Sequence, residues 1–417
     1  MLTKHRSLPS RIGNLLRRHQ AAAPSSSSYT AHHYAHNFFS STSGGGGGGS
    51  ETAPFDRSVK LKQRTRAAES CRQQYHYYNK NDKNDAPSKS IVLPYDYFHR
   101  EIAQRLVDRL DDINIRENGE GGFPLALEIG AGAGFVHEAL IDGCEEDDEN
   151  DEMSLLDASS GDNDVLYSGR GGVRKLVQLD SCSAMLHRDD GYATSTSANN
   201  DSSSTTICET YKLVAEEEGP FPFPDGTFDL VISSMAFHWI NDLPRLLTEI
   251  KRVLKPNGCL LFALPGGNTL PELRSSLVLA ELERTGGVST HLGPYIDLSN
   301  VGSLLTGTGF KLPTIDVDDI QIGYPNMMVL MEHLGRMGEG NACLNRKERV
   351  GLGTFLGAAC LYDELYPAET DDNGDREDND GIVASAQIIY GIAWKEPLER
   401  GSATHKMTDI AVTKTMG

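Results

Sequence analysis

The chain has 417 residues, a formal net charge of −20, 38% hydrophobic residues and seven cysteines. That length admits two or three domains, and the acidity argues against direct binding of nucleic acid. The cysteines are scattered, odd in number and never spaced C-x-x-C, which suggests neither a disulfide framework nor a zinc site and fits a reducing compartment.

Residues 1–50 carry five Lys/Arg and five His, no Asp or Glu, a short basic helical pattern (RIGNLLRRHQ), serines and six consecutive glycines. That is the composition of an organelle transit peptide, mitochondrial in preference to plastid, followed by a Gly/Ser linker. No apolar run approaches the roughly 18 to 20 residues needed to span a bilayer. Most of the negative charge is concentrated. Eleven acids without Lys or Arg fall in 142–168, and six acids with one Arg in 371–380, together −16 of the −20. Such blocks repel themselves and stay solvated, so they read as surface insertions and not as a site for a basic partner.

After the leader, residues 51–90 form a basic arm and linker. The arm, FDRSVKLKQRTRAAES, can make one helix that either closes over a ligand or docks a partner, with simple solvated structure as the default for a polar arm. YDYFHREIAQRLVDRL places Phe98, Ile102, Leu106 and Leu110 at a helical period. LALEI (125–129) is then a short unbroken apolar run, as in a strand buried on both faces of a parallel sheet. KLVQLD (175–180), YKLVAE (211–216), FDLVISS (228–234) and CLLFALPG continue the strand series. LPRLLTEIKRVLKPNG lies between the last two, a helix with Pro244 in its first turn and PNG closing it. Strands alternating with helices predict βαβ units, and hence an α/β core at 91–265 with helices on both faces of a mostly parallel sheet. Two polar stretches, 142–172 and 189–208, interrupt the rhythm as loop insertions. Residues 266–395 add the period-two TIDVDDIQIGY, two helical stretches and a last strand in ASAQIIYGIAWK. The helical excursion before that last strand suits a substrate-facing cap. Residues 396–417 are a tail.

The chemistry centres on LALEIGAGAGFV (125–136). A dinucleotide turn reads G-x-G-x-x-G and cradles pyrophosphate on a helix N-terminus. Here the pattern is E-x-G-x-G-x-G: Gly130, Gly132 and Gly134 behind the carboxylate of Glu128. An acid there is a poor neighbour for pyrophosphate but can bond the amino group of a methionine-like moiety. The turn resembles that of class I S-adenosylmethionine methyltransferases, a Rossmann-type fold with a seven-stranded sheet. The stretch FPDGTFDLVISSMAFHWINDLPRLLTEIKRVLKPNGCLLF resembles the fourth strand, following helix and fifth strand of that family. The resemblance implies S-adenosylmethionine as cofactor. Asp180, at the end of the second strand beside Ser181, would then hold the ribose hydroxyls. An acid near the adenine would be Glu216 or Glu217.

Further segments resemble mitochondrial complex I assembly factors of this fold, which are related to malonyl-carrier-protein methyltransferases of biotin synthesis. The most specific are the FDR opening, GGNTLPELR after the fifth strand, and MGEGNACLNRK. That resemblance implies a matrix enzyme, at most peripheral to the inner membrane, that hydroxylates an arginine of a complex I subunit and works with other assembly factors. His238 and Trp239, at the mouth of the sheet, are candidates for the reacting face, His238 as general base or as a packing residue. Glu339 and Asn341 could pair a guanidinium or cap a helix. One H-x-D pair, His187 and Asp189, lacks a third ligand, and no metal site is predicted. Two alternatives stay open: a methyltransferase acting on a small acid or carrier-bound acyl group, and a non-catalytic assembly chaperone.

Overall fold

The computed structural model describes residues 53–81, 95–111, 113, 122–142, 169–190, 208–368 and 381–397. The leader, the greater part of both loop insertions, the acidic block at 371–380 and nearly all of the tail lie outside these residues. Seven strands form one sheet: β1 (Leu125–Ile129), β2 (Lys175–Asp180), β3 (Glu209–Val214), β4 (Phe228–Ser234), β5 (Leu254–Pro265), β6 (Lys311–Tyr324) and β7 (Ile382–Trp394). Their order is β3-β2-β1-β4-β5-β7-β6. The first five run parallel, and β7 enters antiparallel between β5 and β6. The order reverses between β1 and β4, where a parallel sheet opens a crevice at the carboxyl ends of its strands.

Residues of β1 alternate between two apolar layers. Leu127 and Ile129 join the face covered by α5 (Leu243–Val253) through Leu246, Leu247, Ile250 and Val253. Ala126 faces the opposite layer, made by Ile102, Leu106 and Leu110 of α2 (Tyr97–Asp111) with Val136 and Leu140 of α3 (Phe135–Ile141). Burial on both sides explains why β1 is apolar without interruption. Helix α5 starts where Asp242 accepts from the Arg245 amide, with Pro244 in its first turn.

Before β1 comes α1 (Arg57–Asn81), and a single turn, α4 (Ser183–Leu186), follows β2. Two helices, α6 (Pro271–Thr285) and α7 (Leu298–Gly307), precede β6. The excursion before β7 is helical: α8 (Met327–Met337) and α9 (Leu352–Leu365). These pack with α6 over a separate apolar cluster containing Leu273, Leu330, Ala358 and Tyr362. Asn326 caps α8 by accepting from the Met328 and Val329 amides, and the helix ends at Gly338, immediately before Glu339. Among the described residues, no helix is long and apolar enough to cross a membrane.

Candidate functional site: the cleft at the glycine turn

The three glycines of the turn between β1 and α3 all take positive φ, 71° at Gly130, 59° at Gly132 and 92° at Gly134. Gly130 is also held by space: a Cβ there would collide with the Ala236 methyl of the loop after β4. The turn is tied to its neighbouring strand, because Gly130 and Ala131 donate their amides to the Leu179 carbonyl and Gly132 donates to Asp180 Oδ2 at 2.8 Å.

A cleft of about 930 Å³, counted with its open mouth, lies over this turn. It brings together Glu128, Gly130, Gly132, Ser181, Glu217 and Trp239 from the sequence candidates. Glu128 is 2% exposed and accepts from Gln178 Nε2 at 2.9 Å. Burial pushes its carboxyl up to about 8, against the opposing effect of the Gln178 hydrogen bond, with nearby Asp180 adding to the rise. Glu217 is buried and accepts from both the amide and the hydroxyl of Ser181, at 3.1 and 2.9 Å. Glu216 points outward, its side chain 67% exposed. Of the two glutamates read as alternatives, Glu217 is the one in the cleft.

The N-terminal arm is not left free in solvent: one face of α1 packs on the cleft while Leu61, Lys62 and Arg66 stay exposed. Three cations of α1, at positions i, i+3 and i+7, lie on one face of the helix, and each takes an acid in the cleft or buried beside it. Arg57 pairs with Glu217, Lys60 with Glu339 at 3.2 Å, and Arg64 with both oxygens of Asp180 at 2.9 and 2.6 Å. Burial disfavours the Arg64 cation, but Asp180 more than reverses this and raises its pKa. The entry to α1 is fastened by the loop after α8. Phe55 bridges to Cys343, the Asp56 amide donates to the Ala342 carbonyl, and the Phe55 ring meets Trp239 edge-on at 5.2 Å. The FDR opening and the GEGNAC loop, separate in sequence, are therefore one structural unit.

Glu339 is the hub of the reacting side. Its Oε2 accepts from Trp239 Nε1 at 2.8 Å and from His238 Nε2 at 3.1 Å, and His99 Nε2 stands 3.7 Å from Oε1. Burial works to raise this carboxyl, yet Lys60, His238 and His99 outweigh it and hold it well below the ordinary carboxylate range. Burial lowers the His238 imidazole and keeps it neutral. With its Nε2–H given to Glu339, His238 keeps a lone pair on Nδ1, which has no hydrogen-bond partner among the described residues. Behind Glu339 opens a second chamber of about 540 Å³, apolar apart from His238, Thr269, Glu339 and two tyrosines. Met235, Met337 and Glu339 border both cavities.

Asn341 is placed otherwise. Its amide group donates to the Thr290 carbonyl at 2.7 Å and accepts from the Cys343 amide at 2.9 Å, so it folds the loop that carries Glu339. His187 bonds Asp190 at 2.7 Å, and Asp189 is engaged by Arg188, so the H-x-D pair is divided between other partners. Lys60, Arg64 and His99 were not singled out by the sequence. The signal for Lys60 and Arg64 was the spacing of basic residues in RSVKLKQRTRAA; His99, on α2, had none.

Strand order, glycine turn and the acids at the ends of β1 and β2 define a class I methyltransferase-fold protein. A family model described as a methyltransferase domain matches residues 156–262, from ahead of β2 into β5. The chain is 37% identical over 338 residues to "Arginine-hydroxylase NDUFAF5, mitochondrial" of Rattus norvegicus, covering 80% of this chain and 82% of that protein. It is 36% identical over 356 residues to the Homo sapiens protein of the same name, covering 84% and 81%. Identity to "Malonyl-[acyl-carrier protein] O-methyltransferase 1" of Coxiella burnetii is 33% over 184 residues, 44% of this chain and 59% of that one. The chain belongs to the NDUFAF5 family of the methyltransferase-fold superfamily.

Proposed function

We propose that the chain is a mitochondrial enzyme that binds S-adenosylmethionine in the glycine-turn cleft and hydroxylates an arginine of a complex I subunit during assembly. The observation that carries the substrate side is Glu339. It is a half-buried carboxylate kept ionised where the cleft meets the chamber, and a guanidinium is its natural partner. The relatives named as arginine-hydroxylases support the same substrate class, and their names together with the acid-free leader support the mitochondrion.

The residues of the cleft fit the cofactor. Glu128, protonated at neutral pH in the free chain, would ionise to receive the cofactor's ammonium group. Asp180 would hold the ribose hydroxyls and Glu217 would face the adenine. Bound S-adenosylmethionine would carry an electrophilic methyl group on sulfur but no oxygen atom; the oxygen added to the arginine would come from dioxygen with an external two-electron reductant, its second atom leaving as water. Trp239 and the loop after β4 would exclude water from the reacting side, and Glu339 would orient the substrate cation. His238, neutral and with a free lone pair on Nδ1, is the group able to accept a proton there.

O-methylation of an acidic substrate, the activity in the name of the malonyl-carrier-protein relative, would place an anion beside Glu339, whose charge is offset only while Lys60 is seated on it. A non-catalytic chaperone would need the cleft but not the proton acceptor. The test is mass spectrometry of complex I arginines from cells lacking the protein, restored with wild type, Glu339→Gln or His238→Ala. The proposal expects one added oxygen on a single arginine with wild type and its loss with Glu339→Gln. Assembly restored fully by either variant, or an arginine unchanged when the protein is removed, would refute it.

A further inference from the structure

The residue that sits on Glu339 in this structure belongs to the chain itself. Lys60 Nζ lies 3.3 Å from the centre of the Trp239 ring, donates to the Gly338 carbonyl at 2.8 Å and pairs with Glu339 at 3.2 Å. A carboxylate, an aromatic face and a carbonyl form a seat for one cation with several N–H donors. We propose that this seat receives the guanidinium of the substrate arginine, and that Lys60 is its internal stand-in, leaving when the first turns of α1 withdraw. The inference rests on the arginine reading above and adds to it the seat and its occupant.

Three observations carry it. The seat prefers a guanidinium over an ammonium. A guanidinium is planar, stacks on an indole face and meets a carboxylate with two parallel N–H groups. It also has five donors against three, and the neighbouring His238 Nδ1 is a buried acceptor without a partner among the described residues. Secondly, the occupant is poorly matched: burial lowers the Lys60 ammonium pKa and the neighbouring Arg64 lowers it further, with Glu339 opposing both. Thirdly, α1 is held in two different ways. Its first half is fastened to the cleft by Arg57, Lys60 and Arg64 and at its entry by the Phe55–Cys343 bridge, whereas Ala67, Ala68 and Cys71 are buried, the two alanines packing in an apolar cluster with Cys182 and Met185. Ligands that compete for the three acids release the polar fastening, and the first half withdraws when the Phe55–Cys343 bridge opens with it while the second half stays docked. Withdrawal empties the cofactor acids and the cation seat together, so loading of either favours loading of the other.

The experiment uses the full chain and two probes, Nα-acetyl-L-arginine methylamide and its neutral citrulline isostere. Lys60→Ala leaves the half-buried Glu339 without its ammonium. The arginine probe should raise the melting temperature of this variant in a dose-dependent way and bind it at least about tenfold more tightly than wild type, as expected for a restored charge-assisted pair. The citrulline probe should do neither. Equal effects of the two probes, or no effect of either on a folded Lys60→Ala protein, overturn the inference. Should that variant not fold, hydrogen exchange on the wild type decides. The arginine probe with S-adenosylmethionine should speed exchange of amides in 57–64, and unchanged exchange overturns the inference. Arginine hydroxylation in cells is a separate readout. A seat that binds the probe in a protein whose loss leaves every complex I arginine unaltered would preserve this inference and remove the functional reading. Hydroxylation that persists in Lys60→Ala, without binding of the probe, would remove only the inference.

Discussion

Replacing Arg64 by methionine should weaken the free protein and strengthen its hold on S-adenosylmethionine. A carboxylate has about four acceptor positions, and Asp180 has four donors. Arg64 contributes Nη1 at 2.9 Å and Nη2 at 2.6 Å, Cys182 its amide at 2.7 Å, and Gly132 its amide at 2.8 Å. The two amides are fixed by the backbone. A pair of ribose hydroxyls can bond Asp180 only by displacing the guanidinium. Breaking a buried ion pair costs about 3–5 kcal/mol, and the remaining amides put this case near the lower end. The Arg64→Met chain should therefore lose ~3 kcal/mol of stability, read by denaturant unfolding. If half of that cost is recovered when the ribose replaces the guanidinium, the dissociation constant falls about tenfold, since 1.4 kcal/mol is a factor of ten. Calorimetric titration of both folded proteins measures it. Equal or weaker binding by the methionine variant would mean that Arg64 assists the cofactor instead of competing with it, and the displacement argument would fail.

Other predictions concern single positions. Glu128 has its folded-state carboxyl raised from 4.5 to about 8, so between those pH values the folded chain holds a proton that the unfolded chain has lost. Its contribution is fully favourable below pH 4.5 and is lost as pH rises through 8, by at most about 5 kcal/mol at 1.36 kcal/mol per pH unit. Melting curves of wild type and Glu128→Gln across this range should converge at low pH and separate toward pH 8, with the glutamine variant the more stable; parallel curves would count against a raised carboxyl. Gly130→Ala combines positive φ with a collision against Ala236, for about 2–4 kcal/mol of lost stability; an alanine variant that melts like wild type would contradict the geometry of the turn. Asn326→Ala removes the cap of α8 and should cost ~1 kcal/mol. Because α8 ends next to Glu339, the same variant should also lower affinity for the arginine probe, and unchanged affinity would separate cap from seat.

Much of the sheet was legible because buried parallel strands are unbroken apolar runs. LALEI, KLVQLD and FDLVISS fall on β1, β2 and β4 with the bounds read from the sequence. The edge strand β3 was displaced by two residues, to Glu209–Val214, because its exposed side chains give burial little to mark. β5 begins at Leu254, so the PNG lies inside the strand instead of closing α5, with Asn257 at φ 63°. Helix α6 escaped notice because Glu272 and Glu281 are buried on its inner face, accepting from Ser385 and from Ser289, His291 and Lys347. They interrupt an apolar period that packing alone would have made regular. The sequence presented the acids of the cleft, since each ends a strand or follows a motif. It could not present their partners. Lys60 and Arg64 lie on a helix whose first half has no apolar stripe, and only the folded cleft shows that a row of cations lines up with Glu339 and Asp180.

The central claim is that the glycine turn is a working S-adenosylmethionine site. Glu128→Gln tests it with little collateral damage, because the carboxyl is already protonated at neutral pH and glutamine retains an acceptor for Gln178. Titration of wild type and variant with S-adenosylmethionine at pH 7 is the decisive measurement. Wild type should bind measurably and the variant, of equal or greater stability, at least about tenfold more weakly, for loss of one charge-assisted hydrogen bond. Equal affinity, or no binding by a folded wild-type chain, would contradict it.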